Sequence, residues 1–264
     1  KAWRIMVGLG CVPSIFLFLG MLVLPESPRW LIEHNRIEEA RRVLTRISSE
    51  SAVSEKVQEI QQSIKLEKRE GQATWSEILL PCVYRPSLIL KRALIVGCGI
   101  AFFQQSTGVD AVTYYTPLIF RELGLDDKGI LLCTIFVGCF KLFFIFIAMA
   151  LLDRVGRRPL LLLSSALQML VLCGYVISFL VPSSAVVGVV LQCAYVSAFS
   201  IGWGPICWVM ISEIFPLQIR SRAMAVATTI NRLTAGLVAM FFLSIQKVLT
   251  PVGTWLLFAI LSAL

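Results

Sequence analysis

Three ionisable side chains stand inside apolar stretches of this sequence. Asp110, Lys141 and Arg232 each lie deep in a different run that is otherwise apolar. A charge placed in lipid is costly unless it faces a cavity or a partner, so each of the three marks a candidate functional site. Two interpretations stay open. The three groups line a hydrated path, or they neutralise one another as a buried ionic cluster that only fixes helix packing.

The composition indicates that most of the chain lies in a membrane. Of 264 residues, 57% are hydrophobic and 15% charged, with a mean hydropathy of +0.81 and a formal net charge of +8. Soluble domains are nearer half apolar and a quarter charged. The lysines and arginines lie mainly at the ends of apolar runs, as the cytoplasmic flanks of membrane helices do, which argues against nucleic-acid binding.

The apolar runs are long enough to be membrane-spanning helices, since a bilayer core of about 30 Å needs roughly 20 residues. The run 159–212 has no charged residue and is too long for one helix, so the turn residues 181–184 divide it in two. The initial Lys1 and the short final stretch suggest part of a larger membrane protein. The predicted spans are 5–24, 93–120, 130–152, the two halves of 159–212, and 223–246, with a further start at 253–264.

The loops predict sidedness. The short loops 153–158 and 220–222 are basic, whereas 121–128 is slightly acidic, so alternate loops follow the positive-inside rule. The segment 36–77 carries both signs of charge and is predicted to be cytoplasmic. Two apolar stripes at helical spacing predict two or three amphipathic helices in this segment. The stripes are Ile37, Ala40, Leu44, Ile47 and Val53, Val57, Ile60, Ile64.

The sequence contains few residues that could form a metal site or a catalytic triad. The eight cysteines form no CxxC pair and lie mostly in apolar runs, so they are expected to be small buried hydrophobic side chains. The only histidine, His34, lies in a charged stretch. No enzyme activity and no cofactor are therefore expected.

Several motifs in a fixed order resemble the sugar porter family of the major facilitator superfamily. The motifs are PESPRWL (25–31), QQSTGVDAVTYYTP (104–117), DRVGRR (153–158), GWGPICW (202–208), SEIFPLQIR (212–220) and NR (231–232). The resemblance implies an all-α membrane fold: the C-terminal six-helix half, truncated in its last helix, with the preceding helix and a cytoplasmic helical linker. The expected domains are 1–31 with the sixth helix, 32–87 with the linker, and 88–264 with the C-terminal half.

The resemblance also implies the substrate site. In this family the positions of Gln104 and Gln105 bind sugar hydroxyls, since amides offer both donors and acceptors. A bond between helices is the alternative for these glutamines. The positions of Tyr114 and Tyr115 help to close an outer gate. Trp208 is expected to lie against the sugar, or alternatively to pack in a helix interface. The full predicted substrate-binding set is Gln104, Gln105, Asp110, Lys141, Trp208, Asn231 and Arg232.

Two bends are expected in the spans. On one straight helix Gln104 and Asp110 cannot both face one cavity, so a bend at Gly108 is predicted. Gly202, Gly204 and Pro205 are predicted to form a hinge, because proline has no backbone N–H and breaks the helical hydrogen bonding. The resemblance implies salt bridges that close an inner gate. These residues are Glu26, Arg29, Asp153, Arg154, Arg157, Arg158, Glu213 and Arg220.

Differences from the family pattern refine the expected substrate. Hexose facilitators usually carry Asn at the positions of Asp110 and Lys141, and Trp at that of Arg232. The charged residues resemble plant-type polyol and monosaccharide proton symporters and favour a hydroxyl-rich substrate. The predicted function is secondary transport of a polyol or monosaccharide, with the proton as coupling ion. A facilitative hexose uniporter and a nontransporting sugar sensor remain alternatives.

The expected surroundings follow from the same resemblance. The partners are a small sugar or polyol and the lipid bilayer, with no nucleic acid and no obligate protein partner evident. The predicted location is a multi-pass position in a membrane, most simply the plasma membrane.

Overall fold

Helices make up the part of the chain that the structure, a computed structural model, describes: residues 2–70, 88–181, 184–216 and 219–263. The chain divides into two compact units, residues 1–72 and 73–264. The helices are α1 (Ala2–Val23), α2 (Pro28–Glu33), α3 (Ile37–Thr45), α4 (Glu50–Glu70), α5 (Leu88–Ser106), α6 (Val109–Glu122), α7 (Asp127–Val155), α8 (Arg157–Leu180), α9 (Ala185–Ile201), α10 (Trp203–Ile214) and α11 (Arg220–Ala263).

The first unit joins one apolar helix to three amphipathic ones. The 22 residues of α1 extend about 33 Å, enough for the predicted first span. The helices α2, α3 and α4 bury Leu31, Ala40, Val53 and Val57 in one small core. This confirms the predicted amphipathic helices within the described residues.

The predicted stripe on α3 is wrong at one position. The helix ends at Thr45, and Ile47 beyond it is 73% exposed. Val43 is buried instead, because it lies one residue before Leu44 on the inward side of the helix.

The second unit is built from spans that match the predicted ones. Five helical stretches of its described residues are long and apolar enough to cross a bilayer: 88–122, 127–155, 157–180, 185–214 and 220–263. The helix boundaries at Leu180 and Ala185 confirm that the long uncharged run is divided near 181–184. Of that predicted turn, Pro182 and Ser183 lie outside the described residues. In the packing, α11 contacts α5 and α8, while α9 contacts α7 and α8.

The first break lies at Gly108, as predicted. Gly108 has φ +81° and separates α5 from α6. An added Cβ there would lie 2.7 Å from the ring of Phe258, so both the backbone conformation and the close packing require glycine. Thr107 is therefore not on a helix face shared with Asp110, as a continuous helix would have it.

A second break lies at Gly202, between α9 and α10. A Cβ at Gly202 would overlap the Cβ of Ser164 and lie 2.6 Å from the carbonyl oxygen of Leu160. Pro205 is the third residue of α10. In the first turn of a helix a backbone N–H has no internal acceptor, so the proline costs no helical hydrogen bond there.

A third break divides α11 at Thr250, whose backbone is non-helical with φ 61°. Pro251 follows it, and a residue before proline is restricted from the helical region. The short apolar stretch from Gly253 is thus helical and turns away from the long part of α11.

The expectation that the cysteines are buried is wrong for three of the seven described positions. Cys207 is buried, but Cys11, Cys139 and Cys173 are exposed on the apolar outer faces of their helices. In a membrane-spanning helix an exposed apolar face contacts lipid, so these side chains remain in apolar surroundings.

Candidate functional site

Three amide side chains meet where α5, α10 and α11 come together. Gln104 and Gln105 form the last turn of α5, and Asn231 lies in α11. The Nδ2 of Asn231 donates to the Oε1 of Gln104 and to the carbonyl oxygen of Ala101, both at 2.8 Å. All three side chains are buried, and we refer to Gln104, Gln105 and Asn231 as the amide cluster.

Gln104 is bonded at both ends of its amide. Its Oε1 accepts from Asn231, and its Nε2 donates to the carbonyl oxygen of Trp203 at 2.6 Å. These are bonds between helices, which is the alternative role expected for the glutamines. Gln104 therefore positions the start of α10 against α5 and α11.

Gln105 differs from its neighbour in having an unused acceptor. Its Nε2 donates to the Oδ1 of Asn231 over 3.4 Å, a long hydrogen bond. Its Oε1 is buried and accepts no hydrogen bond from the described residues. A buried acceptor without a donor is unfavourable, so this oxygen is suited to a ligand that brings an O–H or N–H group.

The charged candidates do not form a buried three-membered cluster. The Nη1 of Arg232 lies 3.8 Å from the Oδ2 of Asp110, and their side chains are 64% and 27% exposed. Lys141 is half-buried on α7, and within the described chain it makes no ion pair. The alternative of a buried ionic cluster is therefore not seen in the described residues, and the interpretation that the three groups line a hydrated path stays a prediction.

The two tyrosines of the predicted outer gate point in different directions. Tyr114 is 68% exposed. Tyr115 stacks on Phe242 with ring centroids 4.9 Å apart and donates its hydroxyl to the carbonyl oxygen of Ala239. Tyr115 therefore ties α6 to α11, whereas the part of Tyr114 in an outer gate stays a prediction.

Trp208 is half-buried and packs beside the core of Cys207, Ile211 and Phe215. Whether Trp208 lies against the sugar or packs in a helix interface stays a prediction. Its neighbours in the hinge motif, Gly202 and Pro205, lie at the break described above, and Gly204 lies in the first turn of α10.

Two of the predicted rim residues, Arg157 and Glu213, pair with each other. The Nη2 of Arg157, the first residue of α8, donates to the Oε1 of Glu213 at 2.8 Å. The Nε of Arg220 donates to the carbonyl oxygen of Phe215, so Arg220 caps the end of α10. Asp153, Arg154 and Arg158 are exposed.

Glu26 and Arg29 belong to the first unit. The Oε1 of Glu26 accepts from the backbone N–H of Ser27 at 3.2 Å. Their predicted part in an inner gate stays a prediction.

The sequence did not predict the polar residues of α8 and α9 that lie at the two breaks beside the amide cluster. Ser164, Ser165 and Gln168 of α8 lie near Trp203, and the indole Nε1 of Trp203 donates to the Oγ of Ser165 at 2.8 Å. Tyr195 of α9 donates its hydroxyl to the carbonyl oxygen of Thr107 at 2.8 Å, next to the Gly108 break. The available signal was the spacing of Ser164 and Gln168, four residues apart in a run without charges.

The described residues thus define the class of multi-pass membrane proteins with broken helices beside a buried polar site. The profile of the family described as "Sugar (and other) transporter" matches residues 1–264. The chain belongs to this family of sugar porters, within the major facilitator superfamily, and the proteins it resembles are transporters rather than enzymes.

Relatives with curated descriptions agree with this family. The chain is 42% identical to "Probable polyol transporter 4" of Arabidopsis thaliana, with 100% of this chain and 50% of that protein covered. It is 38% identical to "Arabinose-proton symporter" of Bacillus subtilis, with 86% and 47% covered.

Among solved structures, the chain matches the proton:xylose symporter XylE of E. coli bound to 6-bromo-6-deoxy-D-glucose. The TM-score is 0.81 at 28% identity, and the match covers 99% of this chain and 54% of that one. The chain thus spans about half the length of the relatives it matches.

Proposed function

We propose that this chain forms part of a carrier that moves a polyol or a monosaccharide across the plasma membrane by alternating access, coupled to protons. The unused Oε1 of Gln105 carries the proposal. A sugar or polyol hydroxyl is a neutral donor of the right kind, and it gains a buried acceptor without desolvating a full charge.

The surroundings of Gln105 support a neutral, hydroxyl-bearing ligand. The other side chains of the amide cluster are uncharged, and Gln104 and Asn231 are already joined by a hydrogen bond. A preformed set of donors and acceptors reduces the ordering cost of binding. The charged pair Asp110 and Arg232 lies at the start of α6 and in α11. Charged groups form stronger hydrogen bonds with hydroxyls than amides do.

Proton coupling is the finer part of the proposal. Asp110 is a carboxylate in a membrane-spanning segment, half-buried, with Arg232 as a distant partner at 3.8 Å. A carboxylate so placed can bind and release a proton as its surroundings change between two conformations. The relative named as an arabinose-proton symporter and the solved proton:xylose symporter support this assignment.

The test is uptake by the full-length gene product in lipid vesicles with an imposed pH gradient. A linear polyol, a pentose and a hexose are supplied in turn as labelled substrates. We expect accumulation that follows the gradient and disappears when a protonophore removes it. Uptake that ignores the gradient would leave a facilitative uniporter, and binding without uptake would leave a sugar sensor.

The matched pair Gln105→Ala and Gln104→Ala makes this test specific for the site. Full uptake by Gln105→Ala would contradict the proposed binding role. Loss of uptake by both variants with an equal loss of thermal stability would show only that the cluster holds the fold together.

A further inference from the structure

Broken helices leave backbone groups that need partners, and the break at Gly202 is such a place. The carbonyl groups at the end of α9 have no donors within their own helix. The N–H groups at the start of α10 likewise have no acceptors within theirs. The N–H of Ile206 is satisfied by the carbonyl oxygen of Gly202 at 3.0 Å. The carbonyl of Ala198 and the N–H of Trp203 require partners from another element.

One hydroxyl of α8 serves both groups. The Oγ of Ser164 donates to the carbonyl oxygen of Ala198 at 2.6 Å and accepts from the backbone N–H of Trp203 at 3.4 Å. The Nε2 of Gln168 donates to the same oxygen at 3.2 Å. A serine hydroxyl has one donor and two acceptor sites, so Ser164 uses all of them here.

Ser164 is closely packed on the side that faces Gly202. Ser164 and Gln168 are fully buried. The missing side chain of Gly202 is what lets α8 approach this closely, since a Cβ there would overlap the Cβ of Ser164. The hydroxyl is therefore the available partner for the two backbone groups.

The same break is joined to the amide cluster. The carbonyl oxygen of Trp203 accepts from Gln104 at 2.6 Å, while its indole donates to Ser165 at 2.8 Å. Trp203 is thus held from the substrate site on one side and from α8 on the other. Trp203 therefore connects the amide cluster to the break, so a rearrangement of the cluster also changes the contacts at the start of α10.

We propose that Ser164, supported by Gln168, is a positioning residue that holds the break between α9 and α10 in one conformation and thereby sets how often the carrier changes conformation. This inference rests on the proposed transport function. Movement at the break must stretch or exchange the two bonds of Ser164, so their loss alters the balance between conformations.

The test compares Ser164→Ala with Ser197→Ala in the full-length gene product. Ser197 is a suitable control because it is also buried, and its hydroxyl bonds the carbonyl oxygen of Cys193 within α9. Hydrogen exchange measured by mass spectrometry reports on residues 199–206, and vesicle uptake reports on turnover. For Ser164→Ala we expect about fivefold faster exchange in this segment and about a fivefold change in turnover at saturating substrate. Ser197→Ala should change neither.

Ser164→Cys provides a graded step, because a thiol is a weaker donor of similar size. We expect it to fall between serine and alanine in both measurements. It also keeps the proposal testable if Ser164→Ala does not fold.

Two results would overturn the positioning role: unchanged exchange at 199–206 in Ser164→Ala, or exchange raised equally in all helices with normal turnover per folded molecule. The second pattern describes a general loss of stability. A wild-type protein that takes up no sugar or polyol would instead overturn the proposed function, and the exchange pattern would still decide whether Ser164 holds the break.

Discussion

The amide cluster and the charged candidates are two polar regions of the same unit with opposite properties. Gln104 and Asn231 are buried, and their shared bond is 2.8 Å. Asp110 and Arg232 are separated by 3.8 Å, and most of the arginine is exposed. In the first region, every side-chain amide atom has a partner among the described residues except the Oε1 of Gln105. The second has unfilled bonding capacity at a surface.

Polar residues that lie within the apolar runs of one sequence can therefore have different roles. Bonds in the buried region are strong because water is absent, and an unpaired group there is costly. Exposed ion pairs contribute little to stability, so selection for stability alone gives no reason to place them there. The hydrogen bonds of the amide cluster therefore stabilise the fold, whereas the long Asp110–Arg232 pair contributes little to stability.

The largest effect is expected for Asn231→Ala. The change leaves the Oε1 of Gln104 and the Nε2 of Gln105 without partners inside the protein. We expect a loss of about 2–3 kcal/mol in the free energy of unfolding, together with uptake reduced more than about tenfold. Thermal melting of the purified protein and vesicle uptake measure the two.

Leu237→Ala is the control for this change, since Leu237 lies in the same helix and is 56% exposed. A small change in melting for Asn231→Ala, comparable with the control, would contradict a cluster that holds three helices together.

The next prediction distinguishes the role of Gln105 from that of Gln104. Gln105→Ala should weaken substrate binding about tenfold with little change in melting, because among the described residues its Oε1 has no partner and its side-chain bond to Asn231 is long. Gln104→Ala should lower the melting temperature, because two hydrogen bonds between helices are lost. Binding of labelled substrate and thermal melting are measured for both. Identical behaviour of the two variants would remove the distinction between a structural and a binding glutamine.

Asp110→Asn is expected to lower stability less than the changes above. Its specific effect should be on the coupling of uptake to protons. The pair with Arg232 is long and partly solvated, so the change in unfolding free energy should be below about 1 kcal/mol. We expect accumulation driven by the pH gradient to be lost, while exchange of labelled for unlabelled substrate persists. Gradient-driven accumulation equal to that of the wild type would place the proton acceptor elsewhere.

The smallest effect is expected at the rim, for the pair Arg157 and Glu213. Both side chains are about half exposed although their atoms are 2.8 Å apart. A double-mutant cycle with Arg157→Gln and Glu213→Gln should give a coupling of roughly 0.2–1 kcal/mol in the unfolding free energy. A larger coupling would show that this pair is shielded from solvent in the full-length protein.

Much of the fold could be predicted because its signals are local. The spans follow from apolar length, the division near 181–184 from turn residues, and the bend at Gly108 from the need to aim residues on both sides of it at one cavity. The amphipathic helices follow from periodicity, and the error at Ile47 arose because the end of α3 at Thr45 has no clear signal in the sequence.

The site was predicted less completely than the fold. Motif positions identified Gln104, Gln105 and Asn231, but only the packing shows that both amide atoms of Gln104 bond between helices, whereas the Oε1 of Gln105 accepts no hydrogen bond from the described residues. The part played by Ser164 could not be predicted, because it depends on how closely α8 approaches the break at Gly202.

The sequence by itself determined which residues enter the membrane, where the chain can bend, and which polar side chains are present there. Apolar length and glycine or proline positions act over a few residues, so they can be read without knowing the fold. The tertiary structure decided which polar groups satisfy one another and which buried acceptors have no partner among the described residues. Hydrogen bonds reach only about 3 Å, so partners more than a hundred residues apart, such as Gln105 and Asn231, are set by packing alone.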